Sequence, residues 1–146
     1  MSEEPKTIAI YDTLLRDGCQ AEGIALSPED KLEVTERLDE LGVHYVEGGF
    51  AGANPKDDEY FRRVRELSLE NTRIAAFGAT RRKGLAAEED PGLRAVLESG
   101  APVATIVAKS WDYHVTEVIH ATLEQNLEMI EDSVRFLKEA GREVIV

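Results

Sequence analysis

Short apolar runs alternate along this chain with longer stretches in which apolar positions recur at threes and fours. Thr7-Ile8-Ala9-Ile10-Tyr11-Asp12 is nearly continuous in apolar side chains, the pattern of a strand covered on both faces. Ser27-Pro28-Glu29-Asp30 predicts a helix start, with Ser27 as N-cap, Pro28 at the first helical position and Asp30 near a capping-box position. Val34, Leu38 and Leu41 are its predicted apolar stripe, and Gly42 stops it. The cycle then repeats: a strand from Tyr45 to Phe50, a helix through Tyr60, Phe61, Val64 and Leu67, and a strand from Arg73 to Ala79. Asp90-Pro91 opens the next helix, which ends near Gly100, and Val103 to Ala108 reads as a fourth strand. A long helix is predicted from about Thr116 to Gly141, with Ile119, Leu123, Leu127, Ile130, Val134 and Leu137 on its inner face. Glu143-Val144-Ile145-Val146 reads as the opening of a fifth strand.

Strand starts at residues 7, 45, 73, 103 and 143 describe βα units and a parallel sheet. Nothing resembling a linker divides residues 1–146, so one domain is expected. Two architectures fit this pattern, a doubly wound open sheet and part of a (β/α)8 barrel. Pattern alone does not separate them; the chain stops within an apolar strand, so an incomplete piece is expected, and a barrel of this kind typically takes about 250 residues. Uncovered sheet edges and helix faces on such a piece predict oligomers or aggregation.

Composition narrows the possible partners. Apolar residues make up 42% of the 146 residues, enough for a packed core. The formal net charge of −12 repels nucleic acid phosphates and anionic lipid, and the excess acid reads as a solvated surface. No apolar stretch is long enough to cross a bilayer. Met1-Ser2-Glu3-Glu4-Pro5-Lys6 lacks the basic and apolar regions of a signal peptide, and Cys19, the single cysteine, excludes an internal disulfide. A cytoplasmic location is the expectation. P-loop, G-x-G-x-x-G, H-E-x-x-H and G-x-S-x-G motifs are absent.

In either architecture functional groups gather beyond the carboxyl ends of the strands. Arg16 and Asp17 follow the first strand and are the most informative pair. Asp17 offers a hard oxygen ligand suited to Mg²⁺ or Mn²⁺, and Arg16 a permanent positive fork for a carbonyl oxygen that gains negative charge. A surface ion pair or an Asp17-Gly18 turn is the competing structural reading. Glu47, in an otherwise apolar strand, is either functional or one half of a buried bridge. Gly48 and Gly49 beside it permit close backbone approach, or a bulge. His114 follows the fourth strand and is a candidate acid, base or ligand, with a local structural role as the alternative. Arg81-Arg82-Lys83 reads as a solvated loop before it reads as an anion site. Cys19 reads as loop packing, His44 lies at the other end of the sheet, and His120 falls within the predicted long helix.

The run Leu15-Arg16-Asp17-Gly18-Cys19-Gln20, with Lys31 downstream and Tyr11-Asp12-Thr13 before it, resembles the N-terminal motif of the isopropylmalate, homocitrate and citramalate synthase family. Tyr45-Val46-Glu47-Gly48-Gly49-Phe50 and Asn54-Pro55-Lys56-Asp57 continue the resemblance. Ala75 to Arg82 and Lys109-Ser110-Trp111-Asp112-Tyr113-His114-Val115 are similar to the branch that makes (R)-citramalate. Its departures are Leu14, where the family usually has Thr, Cys19 at a variable position, and Phe50, a position that is often Trp or Phe in relatives.

The resemblance implies a (β/α)8 barrel and a Claisen-type condensation of acetyl-CoA with pyruvate, a step toward isoleucine. It implies Asp17 as a ligand of a divalent metal (Mg²⁺, Mn²⁺ or Zn²⁺) and Arg16 and Glu47 as catalytic groups. Gln20, Lys109 and His114, with Arg16, are its implied substrate contacts, and a homodimer is the implied assembly. The family's two metal-binding histidines, its strand-five acid and its regulatory domain have no counterpart in these 146 residues, so inactivity of this piece alone is expected. Isopropylmalate or homocitrate synthesis, a hydroxymethylglutaryl-CoA lyase-like reaction, and a non-enzymatic interaction module are the alternatives.

Overall fold

Parallel pairing joins five strands in chain order, β1 (Tyr11–Asp12), β2 (Tyr45–Phe50), β3 (Arg73–Ala79), β4 (Val103–Val107) and β5 (Glu143–Ile145), in a computed structural model that describes residues 8–146. The expected strand start at Thr7 and the Met1–Lys6 stretch lie outside the described residues. Between the strands run α1 (Pro28–Glu40), α2 (Pro55–Val64), α3 (Pro91–Glu98) and α4 (Leu123–Glu139). A doubly wound sheet reverses its strand order at a switch point. Here the order is β1-β2-β3-β4-β5 without reversal, so each βα unit steps the same way around, which is the winding of a barrel.

The two faces of the sheet divide the side chains. Val46, Ile74, Ala76, Ala104 and Ile106 pack outward against Tyr60, Phe61 and Val64 of α2, Leu93 and Val96 of α3, and Leu137 of α4. The inner face carries polar groups, where the Tyr11 and Thr105 hydroxyls meet at 2.6 Å. Near the amino ends of the strands, Glu143 pairs with Arg73 and accepts a hydrogen bond from the Tyr45 hydroxyl at 2.7 Å.

Two helix signals hold: Ser27 and Asp30 close a capping box on α1, and Asp90 caps α3, each ahead of a proline in the first turn. Asn54 caps α2 in the same way, a start that the helix reading had not singled out. The predicted α1 stripe holds in part, since Val34 and Leu38 are half-buried against the core, but they are not the helix's most buried positions. Lys31, Thr35 and Asp39, spaced four apart, are the buried residues, and Leu41 is 78% exposed. Burial is tolerated because each polar group is bonded. Lys31 meets Asp57, Thr35 meets the Tyr60 hydroxyl, and Asp39 accepts the N–H groups of Glu70, Asn71 and Thr72.

The long helix predicted from Thr116 to Gly141 is two pieces. A π-helical turn at His114–Val118 ends in His120 at φ 50°, outside helical backbone. Thr122 and Gln125 then form a capping box that starts α4. Its buried face is Asn126, Met129, Ser133 and Leu137, while the expected core residues Leu123 and Leu127 are exposed. The Ser133 hydroxyl accepts the Arg81 N–H and donates to the Met129 carbonyl, and Asn126 donates to the Lys109 carbonyl while its Oδ1 is buried without a partner among the described residues. The first strand also pairs over less than its predicted length. Ile8 and Ile10 are exposed, because this edge strand has a neighbour on one side only among the described residues. Among the described residues, no helix is long and apolar enough to cross a membrane.

Candidate active site

β1 leads into a tight turn in which the Thr13 carbonyl accepts N–H groups from Arg16, Asp17 and Gly18 at 3.2, 2.8 and 3.2 Å. Leu15 is fully buried and anchors this turn, so its neighbour Arg16 is directed over the carboxyl ends of the strands. There Arg16 meets Glu47 in β2. Nε donates to Oε1 at 2.7 Å and Nη2 to Oε2 at 3.4 Å, a fork across one carboxylate. Nη1 donates to Asp17 Oδ1 at 2.9 Å, and the guanidinium carbon lies 4.2 Å over the centre of the Phe77 ring. Arg16 is thus clamped by a buried acid, an exposed acid and an aromatic face. The side chains of Glu47 and Asp17 are 2% and 60% exposed, so only Asp17 offers a carboxylate to solvent.

The electrostatics follow from this packing. Burial works to lower the Arg16 pKa, but the bond and charge of Glu47 and the charge of Asp17 outweigh it, and the guanidinium stays protonated beyond its ordinary range. Burial raises the Tyr11 hydroxyl pKa, partly offset by its bond to Thr105 and reinforced by Glu47. Tyr11 therefore remains a neutral donor facing a carboxylate. Burial likewise raises the Cys19 thiol, consistent with packing and not nucleophilic duty.

The other expected site residues are spread more widely. Gln20, in a 3₁₀ turn at Gly18–Gln20, lines a cavity of about 400 Å³ with Arg16, Lys31, Phe50 and Asp57. Lys109 and His114 lie just beyond β4, and among the described residues neither side chain bonds Arg16, Asp17 or Glu47. His114 is exposed and packs against Trp111 with ring centres 4.7 Å apart. His120 is a junction residue and not part of a helix. His44 accepts the Ile10 N–H ahead of β1, at the end of the sheet away from Arg16. The basic run is tied into the fold: Arg81 forks onto Asp132 at 2.9 and 2.7 Å, and Lys83 reaches the His120 carbonyl.

Residue-type reasoning missed Tyr11, Lys31 and Asp57, each of which touches or borders this site. Their signal was present only as spacing within the resembling stretches, because an isolated Tyr, Lys or Asp says nothing about what it will face. Among the described residues, no three His, Cys, Asp or Glu side chains converge as a metal-ligand set. Asp17 is one exposed hard-oxygen donor, which fits one corner of a divalent-metal site and no more.

A family model described as HMGL-like matches residues 7–146. The chain is 48% identical over 146 residues to a Streptomyces coelicolor protein named (R)-citramalate synthase, covering 99% of this chain and 27% of that protein. It is 46% identical over 138 residues to the (R)-citramalate synthase of Aquifex aeolicus, covering 94% of this chain and 26% of that one. The solved structure of a hydroxymethylglutaryl-CoA lyase from Bacillus subtilis superposes with a TM-score of 0.71 at 20% identity, over 96% of this chain and 45% of that one. That likeness is one of fold. The chain spans about a quarter of the length of the curated relatives it matches.

Proposed function

The chain belongs to the HMGL-like family, and from that premise we propose that it forms the opening part of a barrel that condenses acetyl-CoA with an α-keto acid, pyruvate in the first instance. Carbon–carbon bond formation joins the acetyl methyl carbon, after loss of a proton, to the keto carbon. The keto oxygen takes the electron pair, becomes an alkoxide and regains a proton, which balances the one lost from the methyl carbon. Water then cleaves the thioester, and citramalate and free CoA leave.

The observation that carries this reading is the clamped Arg16. Of the five N–H groups of a guanidinium, Glu47 and Asp17 occupy three, leaving two without a partner among the described residues. Those two are fixed in direction by Glu47 and Phe77, so they stabilise charge on the keto oxygen without reorganising during the reaction. Glu47 acts by holding the guanidinium, since its own carboxylate is buried behind it. Asp17 is the proposed ligand for a divalent cation (Mg²⁺, Mn²⁺ or Zn²⁺). When bound, such a cation supplies Lewis-acid polarisation of the keto acid. Gln20, Lys109 and His114 are proposed substrate contacts. On the same reading the whole protein is a cytoplasmic homodimer acting on small molecules, with no nucleic acid or membrane partner.

One carboxylate holds a divalent ion weakly, so residues 1–146 alone are expected to release no CoA. The decisive test is a chimera in which they replace the matching segment of the Streptomyces coelicolor relative. Metal-dependent release of CoA from acetyl-CoA is expected with pyruvate ahead of longer keto acids. It is expected to fall at least a hundredfold in Arg16→Ala. A folded chimera inactive with every keto acid, or a preference for a longer one, would refute the assignment at the level of reaction or of substrate respectively.

A further inference from the structure

The register of β2 against β3 breaks between Glu47 and Gly49: Glu47 pairs with Ala75, and Gly49 pairs with Ala76. One residue is therefore inserted, and the inward–outward alternation of the strand is reset. The side chains show the result. Glu47 faces inward to Arg16. A Cβ on Gly48 would overlap the Tyr60 ring, and one on Gly49 would lie 2.5 Å from the Asp57 carboxyl carbon, so both glycines face outward. Phe50 then faces inward and packs edge-on against Phe77, with ring centres 5.2 Å apart, and Phe77 carries the Arg16 guanidinium on its face. Simple alternation would bring Gly49 inward in place of Phe50. The bulge is what allows Glu47 and Phe50 to address the same guanidinium, one directly and one through Phe77.

A bulge leaves backbone groups without ladder partners, and here a buried ion pair supplies them. Lys31, 4% exposed, donates from Nζ to the Gly48 carbonyl at 3.0 Å and to Asp57 Oδ1 at 2.5 Å. Asp57, 8% exposed, accepts the Phe50 N–H on Oδ2 at 3.1 Å. Asn54 braces the same oxygen at 3.0 Å and caps the helix on which Asp57 sits. The pair thus grips the strand on both sides of the bulge from two helices, α1 and α2. A buried pair of this kind adds little net stability over apolar residues of similar volume, so stability alone does not account for it.

We propose that Lys31 and Asp57 are positioning residues for Arg16: they lock the Gly48–Gly49 bulge and thereby fix the Glu47 and Phe50–Phe77 surfaces that aim the guanidinium. The catalytic meaning of that aim rests on the function proposed above, but the positioning itself is measurable without turnover. The probe is the Arg16 Nε–Hε signal in ¹⁵N NMR of the intact chain, assigned by its loss in Arg16→Lys. Its bond to Glu47 protects it from exchange with water. Replacing both charges together, Lys31→Met with Asp57→Leu, avoids leaving a lone buried charge and is expected to keep the chain folded. The proposal expects Arg16 Nε–Hε exchange at least tenfold faster and a displaced signal. Asp57→Asn keeps an acceptor for the Phe50 N–H and is expected to speed exchange less, about threefold; it decides the matter if the double variant does not fold. Exchange within twofold of the parent chain, in whichever of these variants folds, overturns the proposal, because a pair that only supports the fold would leave Arg16 undisturbed. An inactive chimera with this exchange behaviour intact would count against the condensation chemistry and not against the positioning.

Discussion

Removing the Glu47 carboxylate should cost this chain a large fraction of its stability even though one side chain changes. In Glu47→Leu the guanidinium of Arg16 loses bonds at 2.7 and 3.4 Å and keeps only Asp17 at 2.9 Å. Breaking a buried pair from one side typically costs about 3–5 kcal/mol. Arg16 is 19% exposed and retains a second acid, which points to the lower end, about 3 kcal/mol. Arg16→Met leaves the opposite problem, a carboxylate 2% exposed with its counter-charge gone, and should cost at least as much at pH 7. The double variant removes both charges and should cost no more than either single variant, giving a coupling energy of about 3 kcal/mol. Urea unfolding followed by circular dichroism measures all three. With a slope of roughly 2 kcal/mol/M, Glu47→Leu should lower the midpoint by about 1.5 M. A midpoint within about 0.3 M of the parent, or additive single losses, would show that the two groups do not form a coupled pair.

Two further outcomes follow from the packing. Asp39 is buried at 8% exposure; burial raises its pKa, but the N–H groups of Glu70, Asn71 and Thr72 outweigh this and hold it below the ordinary carboxylate range. Its contribution is therefore complete above the ordinary carboxylate pKa and is lost as pH falls through the depressed folded-state value. Asp39→Ala should cost about 2–3 kcal/mol at neutral pH with a flatter acid limb below pH ~4, and equal pH profiles for the two proteins would contradict it. Leu127→Gln should change stability by no more than about 0.5 kcal/mol, whereas Met129→Ala two positions on should cost about 2–4 kcal/mol. Thermal unfolding separates them, and a larger loss at Leu127 would restore it to the core.

The outline of the fold was legible because strand and helix starts carry local chemistry. Ser27-Pro28, Asn54-Pro55 and Asp90-Pro91 each satisfy the first N–H groups of a helix within a few residues, so the signal is complete in the sequence. The β2 and β3 bounds matched because short β-rich runs recur between the helix signals, a local pattern that needs no distant partner to be recognised. Helix faces were less legible. Lys31, Thr35, Asp39, Asn126 and Ser133 are buried only because bonding partners arrive from other elements, and periodicity counts apolar residues alone. The same blindness extended α4 through His120, where Thr122 and Gln125 offered a competing start.

For the candidate site, local sequence determined which groups were available: an arginine and an aspartate after one strand, a glutamate within the next, and glycines beside it. Chain order could say that all of them lie at one end of a parallel sheet. Only the tertiary arrangement decided that Arg16 turns onto Glu47, that Phe77 lies beneath the guanidinium, and that a buried Lys31–Asp57 pair holds the bulge between them. The physical reason is range. Capping and alternation act over a few residues, whereas the ion pairs that aim Arg16 and lock its support join positions 31 and 26 residues apart, and their burial exists only once the helices have closed over the sheet.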